Sequence, residues 1–237
     1  PAVGVPEQSG SETGGCLATP SSLPTFPFDR TIMKLIGIVG GIASGKSFVS
    51  RAFQDLGAKW IDADALVHAV YRESAIIQIL CQRWGTVVLD EKGQVDRAQL
   101  AARVFAPTME AKVELEWLES LVHPLVKDQI LRQVHEWRND PTVEVVVLDA
   151  PVLLKAGWDK LCDELVFVDA SESLRWERVQ ARGWTWEQWQ QRESQQTPLS
   201  EKLARSTRTI DNNGSPESTR IQVQKIWVAL THNSNRR

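Results

Sequence analysis

Hydrophobic positions along the chain fall into short continuous runs separated by longer stretches at helical spacing, the pattern of buried parallel strands alternating with amphipathic helices. "KLIGIV" (34–39), bounded by glycine, reads as a first buried strand, and the "SFVSRAFQDLG" that follows carries helical spacing that stops at Gly57. "AKWID" (58–62) is a second strand candidate, and "VEVVVLD" (143–149) and "ELVFVD" (164–169) return as buried strands. From Ala65 to Trp137 the spacing is mostly helical, with Asp96 as a cap for "RAQLAARVFA" and Pro107 and Pro124 as punctuation. A further helix is expected from Ser171 to about Gln195, then a short strand at "RTID" (208–211), and "NNGSP" leads into a last helix.

This order predicts an α/β fold, a parallel sheet with helices on both faces. The helical segment at about 65–140 is too long for a simple crossover and is read as an inserted substrate-binding region. The working domain spans 34–230, with a lid at about 171–205 and a polar tail at 231–237. Residues 1–28 hold five Pro, four Gly and four Ser but no Lys or Arg, so they lack both a helical period and the basic start of a signal peptide. With Met33 standing just before the first apolar run, residues 1–33 are expected to form a disordered leader.

Composition changes this picture little. The chain has 237 residues, 42% hydrophobic and 24% charged, with a formal net charge of −3, which gives no general reason to expect nucleic acid as a partner. Cys16, Cys81 and Cys162 are odd in number and widely spaced, so reduced thiols in a cytoplasmic protein are expected rather than a disulfide framework or a zinc knuckle. Glu144 and Asp149 interrupt the most apolar stretch, so no membrane span is expected.

Chemistry enters at Gly40-Gly41-Ile42-Ala43-Ser44-Gly45-Lys46-Ser47, which fits G-x-x-x-x-G-K-[ST] between a strand and a helix. Glycines let the backbone curl so that N–H groups point at phosphate oxygens, and the helix start adds its positive dipole end. Lys46 then reaches the β- and γ-phosphates, while the Ser47 hydroxyl can ligate Mg²⁺. The motif specifies a nucleoside triphosphate; the absence of an N-K-x-D guanine-reading element favours a kinase over a GTPase.

Asp62 and Asp64 follow the second strand, where an extended backbone would point both the same way at the ligand-binding edge of the sheet. A kinase acting on an alcohol needs a carboxylate there to orient the hydroxyl and take its proton; the alternative for either residue is a helix N-cap. Asp149, closing the third strand, is placed to hold Mg²⁺ opposite Ser47, with an acidic turn residue as its alternative.

Arg175, Arg178 and Arg182 fall within about 60° on a helix and form one basic face. From Arg175 to Arg208 seven Arg or Lys stand against four Glu, so a mobile lid helix could neutralise a triphosphate. Trp184, Trp186 and Trp189 are read as packing residues, with stacking on bases as the alternative.

The P-loop, "IDAD", "HPL", the proline-leucine segment after the third strand, the arginine helix and "IDNNG", in this order, resemble the dephospho-coenzyme A kinase family over roughly Lys34 to Leu230. The resemblance implies a P-loop kinase fold and ATP-dependent transfer of phosphate to the ribose 3′-hydroxyl of dephospho-coenzyme A, the final step of coenzyme A synthesis, by an enzyme expected to be monomeric. It implies Asp64 as base, with Asp62 beside the substrate, Lys46 and Ser47 as phosphate and metal contacts, Asp149 as the metal-side acid and Arg178 as the lid arginine. It also implies His123 and Pro124 beside the substrate, with a surface or helix-capping histidine as the alternative for His123, and the turn with Asn213 and Gly214 beside the adenine.

Val39, Ala43 and Lys155 depart from the usual Thr, Gly and Glu of that pattern, and Phe48, at the end of the expected ATP site, replaces a common Thr. Two rivals remain open here. One is another P-loop kinase, for a nucleoside monophosphate, shikimate or gluconate; the other is a nucleotide-dependent module that binds nucleic acid through the lid arginines and tryptophans.

Overall fold

The computed structural model describes residues 33–232. The expected leader, apart from Met33, and the tail from 233 onward lie outside the described residues. Five strands, β1 (Lys34–Gly40), β2 (Lys59–Asp62), β3 (Val145–Asp149), β4 (Glu164–Asp169) and β5 (Arg208–Asp211), form one sheet in the order β2-β3-β1-β4-β5. Every pairing is parallel.

Side chains alternate across this sheet as a period of two requires. Leu35 and Val39 of β1, Val146 and Leu148 of β3, and Leu165 and Phe167 of β4 enter one core. Ile36, Ile38, Val145, Val147, Val166 and Val168 enter the other. Burial on both faces explains why these strands read as unbroken apolar runs rather than as alternating ones.

The helices are α1 (Lys46–Asp55), α2 (Ala63–Val70), α3 (Ser74–Trp84), α4 (Arg97–Val104), α5 (Met109–Arg138), α6 (Glu172–Gln180), α7 (Trp186–Ser194), α8 (Leu199–Ala204) and α9 (Pro216–His232). α1 and α9 supply Val49, Phe53, Val223 and Ile226 to one core. α2 to α5 supply Val70, Leu80, Leu100, Val122, Val126 and Ile130 to the other, so the inserted helical region packs on the sheet. No helix of the described residues is long and apolar enough to cross a membrane.

The structure corrects the sequence reading in three places. Pro124 does not end a helix but lies inside the 30-residue α5, held there by Val122 and Val126, which are buried on either side of it. The single helix expected from Ser171 to Gln195 is two, because Gly183 takes φ 77°, which an L side chain adopts only with strain, and Thr185 restarts the chain with a capping box onto Gln188. The extended geometry expected for Asp62 and Asp64 is also absent. β2 ends at Asp62, whose Oδ1 accepts from the Ala65 N–H at 3.1 Å as the N-cap of α2, and Asp64 lies in the first helical turn.

Candidate active site

The loop between β1 and α1 wraps over the carboxyl edge of the sheet. Gly45 takes φ 99°, and a Cβ there would lie 2.1 Å from Asn212 Nδ2, so both backbone and space require glycine. Ala43 also holds a positive φ, 60°, in a loop position where an alanine tolerates it less well than a glycine. Asn212 Nδ2 donates to the Ser44 carbonyl at 2.7 Å and its Oδ1 accepts from Thr219 at 2.8 Å, so the turn after β5 buttresses the loop. α1 then starts at Lys46, and the Gly45 carbonyl accepts from the Phe48 N–H at 3.0 Å and the Val49 N–H at 3.1 Å.

Lys46 Nζ donates to the Gly41 carbonyl at 2.8 Å, folded back over its own loop. Burial pulls its ammonium below the ordinary lysine range, against the opposing pull of Asp149 and Asp64. Asp149, 8% exposed, ends β3 beside the loop, and Ser50 sets its hydroxyl 3.1 Å from the Asp149 carboxylate. Burial raises the Asp149 carboxyl, opposed by Lys46 and Ser50. Asp64 is exposed, yet the surrounding walls withdraw enough water to raise its carboxyl, and repulsion from Asp62 adds to this.

These groups face one cleft of about 960 Å³ between the loop, α4, α5 and the segment of α6 to α7. Ile42, Ala43, Lys46 and Ser47 line it from the loop and the start of α1, Asp62 and Asp149 from the strand ends, and Asp64 from the first turn of α2. Arg51, Arg97, Lys155, Arg182 and Arg192 line the remaining walls, so the cleft suits a polyanion. Lys155 pairs with Glu119 at the rim. The departure at Lys155 therefore places a cation there that is already partnered across the cleft.

The three arginines of the expected basic face separate. Arg175 is 4% exposed, pairs with Glu193 and lies under the Trp189 ring, so it is a buried brace between α6 and α7. Arg178 donates to the carbonyls of Ala43 (3.1 Å), Ser44 (3.2 Å) and Asn212 (3.2 Å), and it does not line the cleft. Arg182, beyond the end of α6, does line it. One side chain per turn was expected on a common face, but α6 ends at Gln180 and the chain turns at Gly183, while the partly buried Glu193 and the buried Trp189 capture Arg175.

The structure does not bring the remaining sequence candidates to the cleft. His123 packs edge-on against Trp158 at 5.6 Å between ring centroids, with burial lowering its imidazole, and Pro124 is exposed. Asn213 Oδ1 accepts from the Ser171 N–H at 2.7 Å, and Gly214 follows it toward α9. Phe48 sits under the Arg220 guanidinium. Of the loop residues, Gly40, Gly41, Ser44 and Gly45 form its frame rather than the cleft wall. Trp189 is fully buried and stacks with Trp176, which removes it as a platform for bases, while Trp184 lines the cleft under Arg192.

Sequence reasoning missed Ser50, Asn212 and Lys202. Ser50 stands one turn after Lys46, a spacing that would have flagged it, and Asn212 is the first of the two asparagines in "IDNNG". No group of three or more His, Cys, Asp or Glu side chains among the described residues is arranged to hold a metal ion. A metal here would need oxygen atoms from a bound phosphate as well.

Residues 34–218 match the family described as Dephospho-CoA kinase. A dephospho-CoA kinase of Symbiobacterium thermophilum is 38% identical over 200 residues, covering 83% of this chain and 81% of the relative. One from Geobacillus kaustophilus is 38% identical over 201 residues, covering 82% and 97%. Among solved structures, TT1252 from Thermus thermophilus superposes with a TM-score of 0.69 at 32% identity, covering 84% of this chain and 98% of that one.

Proposed function

The chain belongs to the dephospho-CoA kinase family, and from that premise we propose that it transfers the γ-phosphoryl group of ATP to the ribose 3′-hydroxyl of dephospho-coenzyme A, giving coenzyme A and ADP. The observation that carries this reading is the shared cleft. Lys46 of the P-loop, the strand-end carboxylates Asp62 and Asp149, and Asp64 in the first turn of α2 face one volume that also touches the inserted helices α4 and α5. A triphosphate on the loop therefore lies next to a second compartment able to take an acceptor.

Phosphoryl transfer passes through a loose transition state, so the enzyme contributes mainly position and charge. When the triphosphate enters, Lys46 exchanges the Gly41 carbonyl for phosphate oxygens, which relieves the cost of its burial. Asp64 orients the 3′-hydroxyl and accepts its proton as the O–P bond forms; its raised carboxyl brings it nearer the pH at which a base works well. Asp62 shapes this corner as the N-cap of α2. Arg182 meets the charge that spreads over the equatorial oxygens, and Arg178 holds the P-loop carbonyls in place.

Ser47 and Asp149 suit Mg²⁺: a hydroxyl and a carboxylate are hard oxygen donors, and a buried Asp149 carboxylate gains from a nearby cation. Bound there, magnesium would supply positive charge to neutralise the triphosphate. Incubation with ATP, magnesium and dephospho-coenzyme A, followed by mass and phosphorus NMR analysis, tests the reading. A product with one added phosphate on the ribose 3′-oxygen is expected; recovery of unmodified dephospho-coenzyme A contradicts it.

A further inference from the structure

Behind the P-loop, on the short helix α8, Lys202 is 4% exposed. Its Nζ donates to the Gly40 carbonyl at 3.0 Å and to Gln196 Oε1 at 2.8 Å. Among the described residues no carboxylate lies within ion-pair distance of it. Lys46 Nζ stands 3.5 Å from the same Gly40 oxygen, so two ammonium groups converge on one carbonyl, and both border a small cavity beneath the loop.

A buried cation without an ion-pair partner is costly, and a chain gains little from setting Lys202 beside Lys46 unless an anion joins them. Building on the kinase reading above, we propose that Lys202 is a second lysine of the triphosphate site, a positioning residue that holds the Gly40 carbonyl away from the phosphates and adds its charge to that of Lys46. The reason is geometric. When Lys46 leaves the loop carbonyls for phosphate oxygens, Gly40 keeps its other donor, Lys202, and the peptide stays turned with its oxygen away from the incoming anion. Because α8 closes the segment that begins with α6, the same bond anchors that segment to the loop.

The groups that act electrostatically on Lys202 are Lys46 from α1, Arg175 from α6 and Glu193 from α7. Burial first, then Lys46 and Arg175, bring its ammonium down to about 8, while Glu193 opposes them. Nucleotide binds the charged form, so affinity should fall as pH rises above that value.

Calorimetric titration of ATP, with and without magnesium, into the parent protein and the Lys202→Met and Lys202→Arg variants tests this. Lys202→Met is expected to weaken ATP by about tenfold at neutral pH, the size of a lost charged interaction, and to flatten the decline between about pH 7 and 9. Lys202→Arg is expected to keep most of the affinity and carry the decline to higher pH, because a guanidinium stays charged. The KM for dephospho-coenzyme A should be unchanged in both. ATP affinity in Lys202→Met within about twofold of the parent, or a parent affinity that is flat over this pH range, would overturn the proposal. If Lys202→Met fails to fold, the pH profiles of the parent and of Lys202→Arg decide, since a merely structural lysine would lower Tm without producing them. A parent that binds no ATP would overturn the kinase reading instead.

Discussion

The Arg178 guanidinium donates to the Asn212 carbonyl at 3.2 Å, and its other nitrogen reaches the Ala43 and Ser44 carbonyls, so one side chain joins α6, the P-loop and the turn after β5. Every one of these partners is a backbone oxygen. Arg182, one helical turn later in sequence, faces the cleft instead. The two arginines should therefore fail differently. Arg182→Ala is expected to lower kcat by about 10³-fold or more, the scale of a transition-state arginine, with a small change in ATP affinity. Arg178→Ala should chiefly raise the KM for ATP. Steady-state kinetics on both variants check this, and a larger kcat loss at position 178 would reverse the assignment.

Asp64→Asn is expected to keep ATP binding and lower kcat by about 10²- to 10⁴-fold, the usual range for a lost general base. Asp62→Asn should cost far less, since asparagine also caps a helix, whereas Asp62→Ala should lose about 1 kcal/mol of stability with the cap. Equilibrium unfolding and single-turnover rates separate these effects.

Burial and Asp62 raise the Asp64 carboxyl, and burial raises Asp149. A base must be ionised to work, so the acid limb of kcat/KM should lie above the ordinary carboxylate range and disappear in Asp64→Asn. Stability runs the other way. A carboxyl raised on folding contributes stability that is fully present below its unfolded pKa and is lost as pH rises through its folded pKa. At neutral pH Asp64→Asn should therefore raise the Tm of the free protein, and an unchanged or lower Tm there would contradict the stated cause of the shift.

Arg175 and Glu193 form a largely buried pair that joins α6 to α7. Arg175→Ala should destabilise the fold by about 3 kcal/mol, because it strands Glu193 beside Trp189. Thermal unfolding would register this as a loss of Tm with no selective effect on kcat.

The sheet and the P-loop were legible in the sequence because each rests on local chemistry. Strands buried on both faces must be continuous apolar runs, as "VEVVVLD" is, and a phosphate-binding turn must have its glycines at fixed spacing. The break at Gly183 was hidden because a glycine inside a helical pattern does not by itself announce a positive φ. The separate fates of Arg175, Arg178 and Arg182 depend on Glu193, Asn212 and the loop carbonyls, which lie 18 to 135 residues away in sequence. Lys202 offered no signal either: it stands in a polar stretch of the expected lid, and only the fold turns it under Gly40.

Substrate choice is the most direct measurement of all. ADP release should be followed with ATP and magnesium across dephospho-coenzyme A, nucleoside monophosphates, shikimate and gluconate, and kcat/KM compared among them. Dephospho-coenzyme A is expected to give the highest value by a wide margin, with phosphate on its ribose 3′-oxygen; a clearly higher kcat/KM for any of the others would contradict the assignment.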